Sequence, residues 1–236
     1  MRLPPSCPSD AADTAERLPA AGARRHGGDA FVLYELPGFL TEAECNWLIA
    51  AIDRSRAPSP IFANRPDPDP DFRTSETCWM DHGQPRVARL YQALCDLLGI
   101  DPAHGERMQG QRYAPGQHFR PHRDAFDPAQ PYWPMEQERG GQRTWTAMIF
   151  LDSPDGGETH FPMTGLRLPP TAGTLLAWNN LQPDGAPNPL ALHEGCPVQA
   201  GTKHVVTQWF RERPCRKPGL VAALKRGAFR LLGRLR

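Results

Sequence analysis

His122, Arg123 and Asp124 stand in a row, and in a β-strand residues i and i+2 project from one face. An imidazole and a carboxylate would then aim at one point while Arg123 turns away. Such a pair suits a metal ion, although a histidine near an aspartate is commonplace, so a third ligand must come from another strand. His193 is the best candidate, because it precedes a strand-like segment at 204–210 within the phrase His193-Glu194-Gly195-Cys196-Pro197-Val198. Two histidines and one carboxylate make the facial triad of non-haem Fe(II) oxygenases, with positions left open for co-substrate and dioxygen. A zinc hydrolase uses similar ligands, and the triad alone does not decide between them. Lys203, ten residues beyond His193, tips the balance. A dicarboxylate co-substrate that chelates iron with one end needs a fixed cation for the other. Hydrolytic zinc has no such need.

These residues sit in a region of short β-prone runs separated by Gly, Pro, Asp and Asn, from about 107 to 210. The clearest runs are Thr144 to Leu151, Thr174 to Trp178 and His204 to Phe210. Strands at that spacing read as a sandwich or barrel. Ahead of them, Thr41-Glu42-Ala43-Glu44 is a capping-box pattern, followed by Cys45, Leu48, Ile49 and Ile52 at helical spacing. A second helix is expected at 86–98, with Val87, Leu90, Tyr91, Leu94 and Leu98 on one side and Gly99 at its end. Residues 57–72 hold five prolines and read as a long loop of the lid or binding kind. Residues 1–28 lack periodicity and read as a disordered tail. At 215–236 a basic amphipathic tail is expected. It sets Leu220, Leu224, Leu231 and Leu235 in a stripe beside Lys225, Arg226, Arg230 and Arg234, and could dock on the domain, a partner or a membrane surface.

The whole composition is that of a globular chain: 236 residues, 39% hydrophobic and 22% charged. Proline, at 27 residues, argues against a mainly helical fold. With 27 Lys+Arg against 26 Asp+Glu, the chain as a whole has no electrostatic case for nucleic acid. Six scattered cysteines without a CxxC pair, and no apolar leader or spanning run, lead to the expectation of reduced thiols in a cytoplasmic protein.

Several phrases in order resemble the prolyl 4-hydroxylase family of Fe(II)/2-oxoglutarate-dependent dioxygenases, from about Phe31 to Arg213. They are Tyr113-Ala-Pro-Gly116-Gln117-His-Phe119-Arg-Pro-His122-Arg-Asp124, Gly140-Gly141-Gln142-Arg143-Thr-Trp-Thr146, Gly156-Gly157-Glu158-Thr159, His193 with Lys203, and Trp209. Arg73-Thr74-Ser75 looks like the family's segment before the barrel.

The resemblance implies a mainly β fold with flanking helices (α+β), a double-stranded β-helix or jelly roll. The domain would span 29–214, with helical support at 41–99 and the jelly-roll core at about 107–213. By it, His122, Asp124 and His193 would ligate iron and Lys203 would pair with the distal carboxylate of 2-oxoglutarate. Tyr113 and Thr159 would add hydrogen bonds, Trp209 would line the pocket, and Arg143 would serve peptide-substrate binding. Fe(II), 2-oxoglutarate and O2 follow as cofactor and co-substrates, with room for an ascorbate requirement.

The implied reaction is hydroxylation of a C–H bond, prolyl 4-hydroxylation of a protein or peptide above all. A hydroxylase of a free amino acid or small metabolite, and a non-catalytic jelly-roll binding module, are the alternatives. Three departures bear on the substrate: Phe119 where tyrosine is common, His204 where tryptophan is frequent, and Arg211 where relatives can carry histidine.

Overall fold

The computed structural model describes residues 17–59 and 69–215. In chain order the elements begin with β1 (Arg24–His26), β2 (Leu33–Leu36), α1 (Glu42–Ser55), β3 (Ala57–Pro58), β4 (Glu76–Trp79), α2 (Pro85–Leu98), β5 (Gln109–Tyr113) and β6 (Phe119–His122). They continue with α3 (Trp133–Arg139), β7 (Arg143–Phe150), β8 (Asp155–Gly156), β9 (Thr159–Phe161), β10 (Leu166–Leu168), β11 (Leu175–Asn179), β12 (His193–Gly195), β13 (Val198–Ala200) and β14 (Lys203–Arg211). A major sheet of eight strands runs β1-β2-β11-β7-β14-β5-β4-β3, and a minor sheet runs β10-β9-β12-β6. A short β13-β8 pair completes the jelly roll.

The alternation of side chains along the long strands explains both layers. On β7, Trp145, Ala147 and Ile149 join the apolar cluster shared with α1 and α2, while Met148 and Phe150 join the cluster facing the minor sheet. β11 divides in the same way, with Leu175 and Ala177 on one side and Leu176 and Trp178 on the other. Because both faces are covered, every residue of β7 and of β14 is buried.

The helices form where local chemistry directs them. The Thr41 hydroxyl accepts from Glu44 N, and the Glu44 carboxylate accepts from Thr41 N at 2.8 Å, closing the capping box. Cys45, Leu48 and Ile52 of α1 are buried, with Ile49 packed partly against them. α2 begins with Pro85 and stops at Gly99, whose φ of 68° lets its N–H reach back to Cys95 O. α1 lies so close to β5 that a Cβ on Gly110 would come within 2.4 Å of Ile52 Cγ1.

Three expectations change. The N-terminal segment is ordered earlier than residue 29: Leu18 is fully buried and β1 pairs with β2, so apolar burial and ladder bonds hold what composition read as tail. Residues 1–16 of that expectation lie outside the described residues, as do 216–236 with the basic stripe. The proline-rich stretch is part strand at its start, with Pro58 on edge strand β3, where a missing N–H costs no ladder bond. Its residues 60–68 are not described. Within the β region a further helix, α3, appears, too short for periodicity to reveal and bounded by Pro134 and Gly140. Among the described residues no helix is long and apolar enough to cross a membrane.

Candidate active site

β6 and β12 are hydrogen-bonded neighbours in the minor sheet, with His193 opposite His122. Strand β6 ends at His122, so Asp124 sits in the bend after it rather than on the strand as the i, i+2 argument supposed. The turn still delivers the carboxylate. Asp124 Oδ1 lies 3.9 Å from His122 Nε2, and Asp124 Oδ2 lies 3.8 Å from His193 Nε2. Such spacings suit one ion bonded to each donor at about 2.1 Å.

Each ligand candidate is oriented from behind. His122 Nδ1 donates to Arg120 O at 2.8 Å and His193 Nδ1 donates to Ala191 O at 2.9 Å. A carbonyl can only accept, so both Nδ1 atoms carry the proton and both Nε2 lone pairs face the centre. Asn180 Nδ2 donates to Thr146 Oγ1 at 2.8 Å, which donates to Asp124 Oδ2 at 2.7 Å. Burial by itself would raise the Asp124 carboxyl, yet His193, His122, Arg143 and Thr146 together hold it below its ordinary range. Burial, and then the neighbouring His193, push His122 well down, which keeps the imidazole neutral. The donor set therefore fits a divalent iron-type ion: two imidazoles, each turning Nε2 to the centre, and one ionised carboxylate, gathered on one side.

The trio opens into a cleft with an empty volume of about 410 Å³. Tyr113, Thr159, Lys203 and Trp209, all expected at the site, line it. Lys203 is 2% exposed, and its Nζ lies 5.3 Å from the Tyr113 ring and 5.4 Å from the Phe150 ring. No carboxylate of the described residues pairs with it. Burial lowers its pKa from the ordinary lysine value to about 8. An ammonium inside the protein without an anion is costly, so the cleft favours an acidic ligand that supplies one. The buried indole N–H groups of Trp178 and Trp209, also on the lining, have no acceptor among the described residues. Tyr113 donates its hydroxyl to Gln111 Oε1 at 3.0 Å.

Arg143 departs from its expected place. It is buried outside the cleft lining, with Nε 2.7 Å and Nη2 2.8 Å from the two Glu106 oxygens and its guanidinium 4.0 Å over Trp209. Two of the donors meant for a peptide carbonyl are already committed to a carboxylate. Burial would raise the Glu106 carboxyl, but Arg143 and Arg211 overcome that and hold it low.

The three departures from the family pattern separate clearly. Phe119 stacks on His122 with ring centroids 3.6 Å apart and an interplanar angle of 16°. His204 points away from Lys203 on the same strand and binds Asp152 through Nδ1 at 2.5 Å. Arg211 contacts Glu106 and donates to Glu136 Oε2 and Gly141 O, each at 2.7 Å. Phe119 alone of the three lines the cleft.

The sequence reading did not single out Glu106, Gln111, Met148 or Thr207, because nothing in their local spacing marks them. Arg73 carried a signal in its Arg-Thr-Ser phrase. Its guanidinium lies 4.8 Å over the Phe119 ring, and its Nε donates to Ser75 Oγ at 3.1 Å.

The chain is similar to known proteins in sequence and fold. The 2OG-Fe(II) oxygenase superfamily pattern matches residues 108–211. A probable prolyl 4-hydroxylase 8 of Arabidopsis thaliana is 31% identical over 205 residues, covering 77% of this chain and 68% of the relative. Human prolyl 4-hydroxylase subunit alpha-3 is 35% identical over 156 residues, covering 61% of this chain; the chain spans only 28% of that subunit's length. Among solved structures, a viral collagen prolyl hydroxylase from Paramecium bursaria Chlorella virus-1, in complex with 2OG, matches with a TM-score of 0.58 at 29% identity. It covers 76% of this chain and 95% of that one.

Proposed function

This chain belongs to the prolyl 4-hydroxylase family of Fe(II)/2-oxoglutarate-dependent oxygenases, and from that premise we propose that it hydroxylates prolyl residues of a protein or peptide. The observation that carries the reading is Lys203, a buried cation without an anion of its own, on the cleft that also holds His122, Asp124 and His193. Fe(II) bound there, with 2-oxoglutarate and O2, supplies the oxidative decarboxylation to succinate and CO2 that powers C–H hydroxylation.

The chain's own residues do the rest. His122, Asp124 and His193 hold the ion, their orientation set by Arg120 O, Ala191 O and the Asn180–Thr146 pair. Lys203 pairs with the distal carboxylate of the co-substrate, and Tyr113 and Thr159 offer hydroxyls from two sides of the cleft. Apolar walls such as Phe119, Met148 and Val205 keep water away. Arg143, tied to Glu106, shapes the ground under Trp209 and positions it rather than presenting a free fork to the peptide.

The prolyl substrate draws support from the names of the relatives, and the free amino acid or metabolite reading is the competitor. A cytoplasmic setting and an ascorbate requirement belong to the same proposal. The test is succinate release from 2-oxoglutarate with a panel of proline-containing peptides beside a panel of free amino acids, with and without ascorbate. Stimulation by the peptides, with an added oxygen on proline by mass spectrometry, is the expected result. Stimulation by a free amino acid alone moves the function to the metabolite class. No succinate from the wild type, with Asp124→Ala indistinguishable from it, points to a binding module.

A further inference from the structure

On the outer face of the minor sheet a second group of metal-ligating side chains is gathered, and nothing in the proposed reaction uses it. β9 and β12 pair so that Glu194 faces His160, and His160 Nδ1 lies 2.7 Å from Glu194 Oε1. Cys196 follows β12 directly. The ligand atoms of His160, Glu194 and Cys196 all lie within 4.8 Å of one another, the bound that also encloses the inner trio. Strand alternation explains why there are two groups: Thr159 and His193 are buried on the cleft side, and their successors His160 and Glu194 turn to the opposite face. There the His160 and Glu194 side chains are 15% and 27% exposed, open to an ion from solvent yet partly sheltered.

The donor set decides which ion. A thiolate excludes the hard cations that prefer all-oxygen ligands, and one nitrogen, one oxygen and one sulfur suit a borderline-soft dication. Burial and the neighbouring Glu194 carboxylate hold the Cys196 thiol above its ordinary range, and Arg167 Nη1, 3.6 Å from Sγ, opposes them only in part. The bound dication must supply the rest of the drive to thiolate, and the Arg167 contact is exposed enough for the guanidinium to swing clear. With Cys196 ionised, the thiolate and the Glu194 carboxylate give the group two negative charges to set against a dication.

We propose that His160, Glu194 and Cys196 form an outer divalent-metal site of the zinc type, bracing from behind the two strands that carry Thr159 and His193. On binding, the Cys196 thiol passes its proton to solvent, the His160 imidazole ligates in its neutral form, and water completes the fourth position. The site does not depend on the activity of the inner cleft.

Cobalt(II) is the probe, because a thiolate ligand gives it an intense near-ultraviolet charge-transfer band that the inner trio, which lacks sulfur, cannot produce. The full chain titrated with Co(II) is expected to develop the band to completion by two equivalents, one for each trio, and Asp124→Ala by one; Zn(II) should then abolish it. Asp124→Ala, which disables the inner trio, should keep the band. Cys196→Ser should lose it, and His160→Gln should weaken cobalt affinity by about tenfold or more, with far-ultraviolet circular dichroism unchanged in both. No band in the wild-type chain, an undiminished band in Cys196→Ser, or loss of the band in Asp124→Ala would each overturn the outer site.

Discussion

Lys203 combines two properties that pull against each other, a full charge and a nearly complete loss of solvent. Burial favours its neutral form, so its pKa falls to about 8, and a bound carboxylate would restore the preference for charge. The sign of the pH dependence follows. Below about pH 8 the free chain carries the ammonium that, on the proposed pairing, would bind the co-substrate carboxylate; as pH rises through that value the charged fraction falls. The kcat/KM for 2-oxoglutarate is therefore expected to decline above about pH 8, approaching tenfold per pH unit, while metal affinity follows its own profile. Lys203→Ala should raise the KM for 2-oxoglutarate by about 10- to 150-fold, matching the roughly 1.5–3 kcal/mol of a charge-assisted hydrogen bond. Its pH profile should lose the decline. Steady-state succinate assays from pH 6 to 10 check both, and an unchanged KM in the variant would remove Lys203 from co-substrate binding.

Elements place these residues through close contacts that tolerate little change. Helix α1 rests on strand β5 because Gly110 has no side chain where Ile52 inserts, and Ile52 is itself fully buried. Gly110→Ala would drive a Cβ to within 2.4 Å of Ile52 Cγ1, so side chain or helix must shift. The expected loss is about 1–3 kcal/mol of stability, read by chemical denaturation. Ile52→Ala in the same chain removes Cγ1 and Cδ1 and leaves Cβ 3.7 Å away, so the double variant should lose less than the sum of the two single losses, whereas additive losses would show that the helix does not sit on Gly110. Strand β5 ends at Tyr113 on the cleft, so the double variant should also bring the KM for 2-oxoglutarate back toward the wild-type value.

At the scale of the whole molecule, the site is divided between the two sheets. His122 and His193 belong to the minor sheet, with Asp124 just after β6, and Lys203 and Tyr113 belong to the major one. On the proposed site, a metal alone would tie β6 to β12, whereas metal and 2-oxoglutarate together would join the layers. Thermal unfolding followed with Mn(II) as a redox-inert stand-in should show a larger stabilisation for the pair than for the sum of each alone. At 100 times Kd, bound co-substrate contributes about 2.7 kcal/mol, or some 5–10 °C in Tm for a chain of this size. Succinate, with the same distal carboxylate, should give a smaller rise of the same kind. In Lys203→Ala the synergy should disappear and leave the metal effect intact; synergy that survives would mean that the layers are not bridged through that lysine.

Much of this was legible before any fold. His122 and Asp124 are neighbours in the chain, and a capping box at Thr41 or a stop at Gly99 is written in residues within one helical turn. Lys203 lies at the start of β14, whose apolar run shows in sequence, while β12, the three residues His193–Gly195, has no such run, so His193 joined the inner trio through the ligand chemistry and the family phrases. Spacing is silent where a side chain's partner comes from far along the chain. Glu106 meets Arg143 and Arg211 only because the β7–β14 register brings Arg143 beside Arg211, and that meeting turned an expected peptide donor into half of a buried ion pair. The order of residues 17–28 depends on a sheet edge built by distant strands. The outer trio likewise exists because β9 pairs with β12 in one register and not the next, and a slip by one residue would turn its side chains to the other face. Local periodicity and turn chemistry marked the longer elements and, with the family phrases, the inner ligands, and long-range register decided which charges were left free to meet a ligand.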